Sequence, residues 1–200
     1  MFDYLYFHHQ RPKLLAALLL VLIMAGTGSP AIAVKPEQPS DLWAALKTGT
    51  AFAIMRHALA PGTGDPANFN VADCSTQRNL SGDGRRQAIE IGNRFRESGI
   101  ANAEVYTSAW CRCRETAELL QLGKVRHLGA ISSFFREPEQ AEAQTNALKS
   151  WLSGYRSNAA LILVTHYVNI AALTGVYPRS GEIVVVQRLS GGRLKVMGSL

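Results

Sequence analysis

The chain has 200 residues, 47% of them hydrophobic and 18% charged, a length and balance suited to one domain with a full-sized core. The formal net charge of +6 is spread over single cations and short clusters, with no basic run of five or more. That dispersion favours an anionic small molecule or a mild surface attraction over a nucleic-acid track, which needs a concentrated stripe.

At the N-terminus, Arg11 and Lys13 precede an apolar run from Leu14 to Ala25, and Ala31-Ile32-Ala33 supplies small residues at the spacing of a cleavage site. The run is short of the ~20 residues a spanning helix needs. Residues 1–33 are therefore expected to be a signal peptide cleaved after Ala33, with a retained anchor as the alternative. The expected localisation is periplasmic or secreted, with no stable membrane span after cleavage. Cleavage removes His8 and His9 and leaves His57, His127 and His166. Residues 34–49 read as a Pro-containing linker and a short helix over Leu42–Leu46, capped by Ser40 or Asp41 and closed by Gly49. Residues 50–200 form the expected domain.

Ala51 to Met55 is an apolar run that reads as a buried strand and delivers Arg56 and His57 to its C-terminal end. A long loop, 58–80, follows; a loop of that length in a compact domain is usually functional. Ser81 caps a helix running to about Ser98, with Ala88, Ile91 and Phe95 on one face. A short strand at Glu104–Ser108 precedes a helix from Arg112 to about Leu122. Lys124–Gly129 reads as a minor strand and 130–138 as irregular. Helical spacing spans 139–154, Ala160–Thr165 is a buried strand, and a helix runs from about Val168 to Thr174. Ile183–Leu189 and Arg193–Met197 flank Ser190-Gly191-Gly192 as a hairpin. This alternation predicts an α/β fold, a three-layer α/β/α sandwich with a mostly parallel sheet and a C-terminal antiparallel edge hairpin.

The three cysteines, Cys74, Cys111 and Cys113, lie after the signal segment. In an export context two should pair. Cys74 with Cys111 is the expected disulfide, because closing the long loop between them restrains the unfolded chain by ~4 kcal/mol. Three reduced thiols are the alternative. Their spacing is not that of a zinc site, and no metal is expected.

Three strands end in polar groups: Arg56-His57, Thr107-Ser108 and Thr165-His166. In a parallel sheet these ends meet at one edge. Arg112 at the start of a helix adds a second guanidinium where the helix dipole already favours an anion. The expected pocket is strongly cationic, with no carboxylate partner inside it, and phosphate fits it best because Arg forks bind phosphoryl oxygens bidentately.

Four ordered motifs, Ile54-Met55-Arg56-His57, Asn79-Leu80-Ser81-x-x-Gly84-x-x-Gln87-Ala88, Ser108-x-x-x-Arg112-x-x-x-Thr116-Ala117 and Val164-Thr165-His166, resemble the histidine phosphatase superfamily, the phosphoglycerate-mutase-like group. The likeness covers residues 50–175, with Ala58 where the family usually has glycine. The export signal and the placement of Cys74 and Cys111 are similar to the periplasmic branch, one member of which acts on heptose phosphate of the lipopolysaccharide core. The resemblance implies a metal-independent phosphomonoesterase without cofactor. His57 would attack phosphorus, and Arg56, Arg112 and His166 would hold the non-bridging oxygens. Glu137, on the insertion after the second strand, would be the acid, with Asp65 as the alternative. Arg114 would face elsewhere on its helix, and His127 has no motif around it. The implied substrate is small and phosphorylated, a sugar phosphate or an envelope glycolipid phosphate among the choices. A mutase or a catalytically silent anion-binding module are the competing readings. Residues 123–145 are too few for a large cap, so an open site is expected. Two arrangements would rule this enzyme out: the rings of His57 and His166 on opposite sides of the molecule, or Arg112 buried against a structural carboxylate.

Overall fold

Apolar strands covered on both faces organise the chain, and the computed structural model describes residues 38–200. The expected signal segment, residues 1–33, lies outside the described residues. The strands are β1 (Ala51–Arg56), β2 (Glu104–Thr107), β3 (Val125–His127), β4 (Leu161–Thr165), β5 (Ile183–Arg188) and β6 (Leu194–Ser199). They form one sheet in the order β3-β2-β4-β1-β5-β6. β3, β2, β4 and β1 run parallel, while β5 pairs antiparallel with both β1 and β6. The predicted parallel sheet with an antiparallel edge hairpin is therefore the observed fold.

The period of two along each strand sorts the core into two layers. Ala51, Ala53 and Met55 of β1, with Ile162 and Val164 of β4, pack with helices α1 (Pro39–Lys47), α2 (Gly82–Glu97) and α3 (Cys111–Leu119). The intervening Phe52, Ile54, Leu161 and Leu163 face α4 (Ala141–Gly154) and α5 (Tyr167–Thr174). All four are at most 1% exposed, which explains why β1 and β4 read as continuous apolar runs.

Helix boundaries differ from expectation by a few residues, each for a local reason. α1 begins at Pro39, because Gln38 is its N-cap and the Asp41 carboxylate accepts the Gln38 N–H at 3.1 Å. α3 ends at Leu119 instead of about Leu122, since Gln121 adopts a φ of 53° that no α-helix continues through. α2 starts where Ser81 predicted, its hydroxyl accepting the Gly84 N–H at 3.0 Å. The loop 58–80 contains one short 3-10 turn at Cys74–Thr76, and another precedes α4 at Pro138–Gln140.

Candidate active site

Parallel pairing places Arg56 beside Thr165 and Thr107 beside Val164, so β1, β2 and β4 end at one edge. The ladder continues one residue further: the His57 N–H donates to the Thr165 carbonyl at 2.9 Å and the Ser108 N–H to Val164 at 3.2 Å. The two imidazoles consequently meet, with ring centroids 5.6 Å apart. Both are almost fully buried. His57, His166, Arg56, Arg112, Glu137 and Asp65 all line one cavity of about 590 Å³.

His57 is oriented by its own backbone. Its Nδ1 lies 2.7 Å from the Ala58 carbonyl. A carbonyl only accepts, so Nδ1 carries the proton and Nε2 keeps its lone pair. Burial lowers the ring pKa to about 3, against the raising effect of that hydrogen bond, and the charges of Arg112, Arg78 and Arg56 lower it further. A neutral imidazole at neutral pH follows. The Ala58 that replaces the expected glycine is fully buried, and its backbone is not left-handed. Its N–H donates to Thr116 Oγ1 at 3.0 Å, and Thr116 Oγ1 donates to the Arg112 carbonyl at 2.7 Å. The next residue, Leu59, is held by Gln87: its N–H donates to Gln87 Oε1 at 2.9 Å. Gly84 packs so closely on the Leu59 carbonyl that a Cβ there would collide with it. Thus Gly84, Gln87 and Thr116 buttress the backbone that aims His57.

His166 caps α5, and its Nε2 lies 2.9 Å from Ser108 Oγ and 3.4 Å from the Cys113 thiol. Burial holds this ring well below the usual imidazole range, and the charge of Arg112 and the neighbouring His57 add to the shift. Cys113 is the unpaired cysteine, and burial raises its pKa to about 12. Arg56 donates through Nη1 to the Pro178 carbonyl at 3.2 Å and lies over the Tyr167 ring. The Nε atoms of Arg56 and Arg112 are both buried without a hydrogen-bond partner.

One expectation is corrected. The pocket does contain a carboxylate: Asp65 accepts from Arg112 Nη1 at 2.6 Å and from Nη2 at 3.3 Å, with side-chain exposures of 4% and 9% for Arg112 and Asp65. So the rings of His57 and His166 converge, but Arg112 is buried against a carboxylate, the second of the two arrangements expected to rule the enzyme out. Asp65 lines the same cavity as Arg112, so the pair is part of the pocket and not of a scaffold away from it. Asp65 also accepts from Trp110 Nε1 and the Arg78 N–H, each at 3.1 Å. Burial pushes its carboxyl up, but the Arg112 and Arg78 hydrogen bonds and the Arg112 charge outweigh it, and the net shift is downward. A carboxylate so held is a poor proton donor. Glu137 is exposed at the cavity rim, where it accepts from Gln140 Nε2.

Arg78 is a lining residue the sequence reading missed. It donates through Nε to the Gly64 carbonyl at 2.8 Å and through Nη1 to Ala60. No period or motif in the loop 58–80 marks it; the only available signal is a lone cation beside Asn79-Leu80-Ser81. The loop is clipped to α3 by the Cys74–Cys111 disulfide, as predicted. Gln77 adds a second clip, its Oε1 accepting the Cys111 N–H at 2.9 Å. Arg114 points away from the cavity floor, its Nη2 3.2 Å from Cys74 Sγ, and His127 ends β3.

Residues 52–130 match the model of the histidine phosphatase superfamily, branch 1. No curated protein sequence matches the chain. Similar solved structures include the following three. The protein histidine phosphatase SixA complexed with tungstate is 16% identical, with 75% of this chain and 96% of that one covered and a TM-score of 0.54. A mycobacterial glucosyl-3-phosphoglycerate phosphatase complexed with VO3 is 14% identical over 74% and 96%, with a TM-score of 0.54. Phosphoserine phosphatase from Entamoeba histolytica in complex with 3-phosphoglyceric acid is 12% identical over 74% and 95%, with a TM-score of 0.57. The chain has the histidine phosphatase fold, and its residues 52–130 carry the sequence pattern of branch 1 of that superfamily.

Proposed function

We propose that the protein is a metal-independent phosphomonoesterase that works through a phosphohistidine on His57, outside the cytoplasm. The observation that carries this reading is the convergence of a neutral His57, its Nδ1–H fixed on Ala58, with His166, Arg56 and Arg112 on one cavity. Two guanidiniums gathered at the ends of the parallel strands match the non-bridging oxygens of a phosphoryl group.

His57 Nε2 attacks phosphorus as the ester P–O bond breaks, and Glu137 protonates the departing oxygen. Arg56 and Arg112 stabilise the charge spreading over the non-bridging oxygens, with Arg78 and His166 beside them. Water then attacks phosphorus, gives its proton to the Glu137 carboxylate, and the P–N bond breaks. Hydrolysis is favoured over transfer to a second hydroxyl because the rim is open to water: Tyr177 is 77% exposed. The Cys74–Cys111 disulfide supports an oxidising location, periplasmic or secreted. The resemblance to the periplasmic, heptose-phosphate-like branch adds a sugar phosphate and a glycolipid phosphate to the esters to be assayed beside p-nitrophenyl phosphate.

The test is hydrolysis of p-nitrophenyl phosphate by the purified chain, with acid-quench trapping of labelled phosphate on the protein. His57→Ala is expected to lose about 10³-fold or more in rate and all of the trapped label, with an unchanged circular dichroism spectrum. Equal activity or equal labelling in the variant would refute the assignment.

A further inference from the structure

We propose that the cavity above the phosphate floor is a slot for a planar, apolar leaving group, so that the substrate is the monoester of an aryl or benzyl-type alcohol and not of a sugar. This deepens the phosphatase reading and rests on it.

Two groups of rings run outward from the residues expected to hold the phosphoryl oxygens. Trp110 meets His166 edge to face at 5.1 Å, and Phe69 stacks on Trp110 at 5.4 Å with 19° between the planes. The Arg136 guanidinium lies 5.6 Å over Phe69 and donates to the carbonyls of Asp65 and Pro66. In the second group Tyr167 lies beneath the Arg56 guanidinium at 5.5 Å, and Phe135 meets Tyr167 edge to face at 6.1 Å. Tyr177 completes the lining.

Size and polarity decide what such a lining accepts. The cavity holds about 590 Å³, several times what one phosphoryl group fills, since even a water occupies ~30 Å³. Its outer rings are uncovered, Phe135 at 42% and Tyr177 at 77% exposure. A flat apolar group laid against the aromatic lining removes that surface from water and finds stacking and edge partners. A sugar would bring several hydroxyls that need hydrogen-bond partners. Several polar groups of the lining are already committed, Asp65 to Arg112 and Trp110, Arg78 to the Ala60 and Gly64 carbonyls, and Arg136 to the carbonyls named above, which leaves chiefly Thr63, Glu137 and the tyrosine hydroxyls for a sugar.

The test uses the full chain with its disulfide intact and two phosphonates that are not hydrolysed. By titration calorimetry benzylphosphonate is expected to bind at least about tenfold tighter than methylphosphonate. The Phe135→Ala, Tyr177→Ala double variant should reduce that ratio below about threefold. Both side chains are surface-exposed, and the circular dichroism melt of each single variant checks that the fold is kept. Equal binding of the two phosphonates, or an unchanged ratio in the double variant, overturns the slot. A second arm compares kcat/KM for benzyl phosphate, glycerol phosphate and glucose 6-phosphate. Preference for the sugar ester also overturns it. Selective phosphonate binding with no ester turned over leaves the slot standing and removes the phosphatase reading, so the two failures are distinguishable.

Discussion

Asp65 decides how Arg112 is used. A carboxylate fork on a buried guanidinium fixes its position but competes with any anion for the same nitrogens. Asp65→Asn should therefore bind inorganic phosphate more tightly, by about fivefold or more, because one negative charge leaves the pocket. The same change should cost about 2 kcal/mol of stability in urea melts, since Arg112 stays buried with a weaker partner. Were Asp65 the proton donor, the variant would instead lose turnover of alkyl esters. That loss, about 10²-fold, is expected for Glu137→Gln, with little change on p-nitrophenyl phosphate, whose leaving group needs no proton. The histidines set the pH response. His57 titrates at about 3 in the fold against an ordinary 6.5. The unfolded chain therefore binds more protons between these values, and stability is full above 6.5 and falls as pH drops towards 3. His166 and, below about 4, Asp65 act in the same direction. Denaturation midpoints measured from pH 7 to pH 3 should decline, and more shallowly in His57→Asn.

At the scale of elements, motifs that read as signatures turn out to be props for one stretch of backbone. Ser81, Gly84 and Gln87 bring α2 against Leu59, and Thr116 brings α3 against Ala58. Gly84→Ala should force α2 away from the Leu59 carbonyl and cost about 2–3 kcal/mol. Gly82→Ala, one position into the same helix, has only the tip of Arg86 nearby and should stay within about 0.5 kcal/mol in the same denaturant melts. The strands were legible because β1 and β4 are covered on both faces and must be apolar throughout. The convergence of His57, His166 and Arg112 was legible too, since parallel strands have their C-terminal ends at one edge. Of the cavity residues on the loop 58–80 only Asp65 was, as the alternative acid; its pairing with Arg112 and the arrival of Arg78 were not. Both rest on backbone turns and hydrogen bonds with no sequence period, and the ion-pairing and carbonyl partners lie 14 to 47 residues away. The end of α3 was missed for a similar reason, because only a backbone φ at Gln121 marks it.

For the molecule as a whole, the sulfur bridge ties the wandering segment after β1 to the first turn of α3, next to Arg112. Opening it should lower stability by about 4 kcal/mol. Orthophosphate protection against heating should shrink as well, because Asp65 and Arg78 ride on the released segment. Scanning calorimetry with and without dithiothreitol, each with phosphate added, measures both effects. For the proposed phosphatase, a grip on phosphoryl groups that weakens on reduction would have a biological corollary. Newly made chains in a thiol-rich interior would be weak scavengers of the phosphorylated metabolites around them. The same chains, exported as proposed, would gain full strength once the bridge forms, so that geography, enforced by one covalent staple, would spare the cell from the proposed phosphatase.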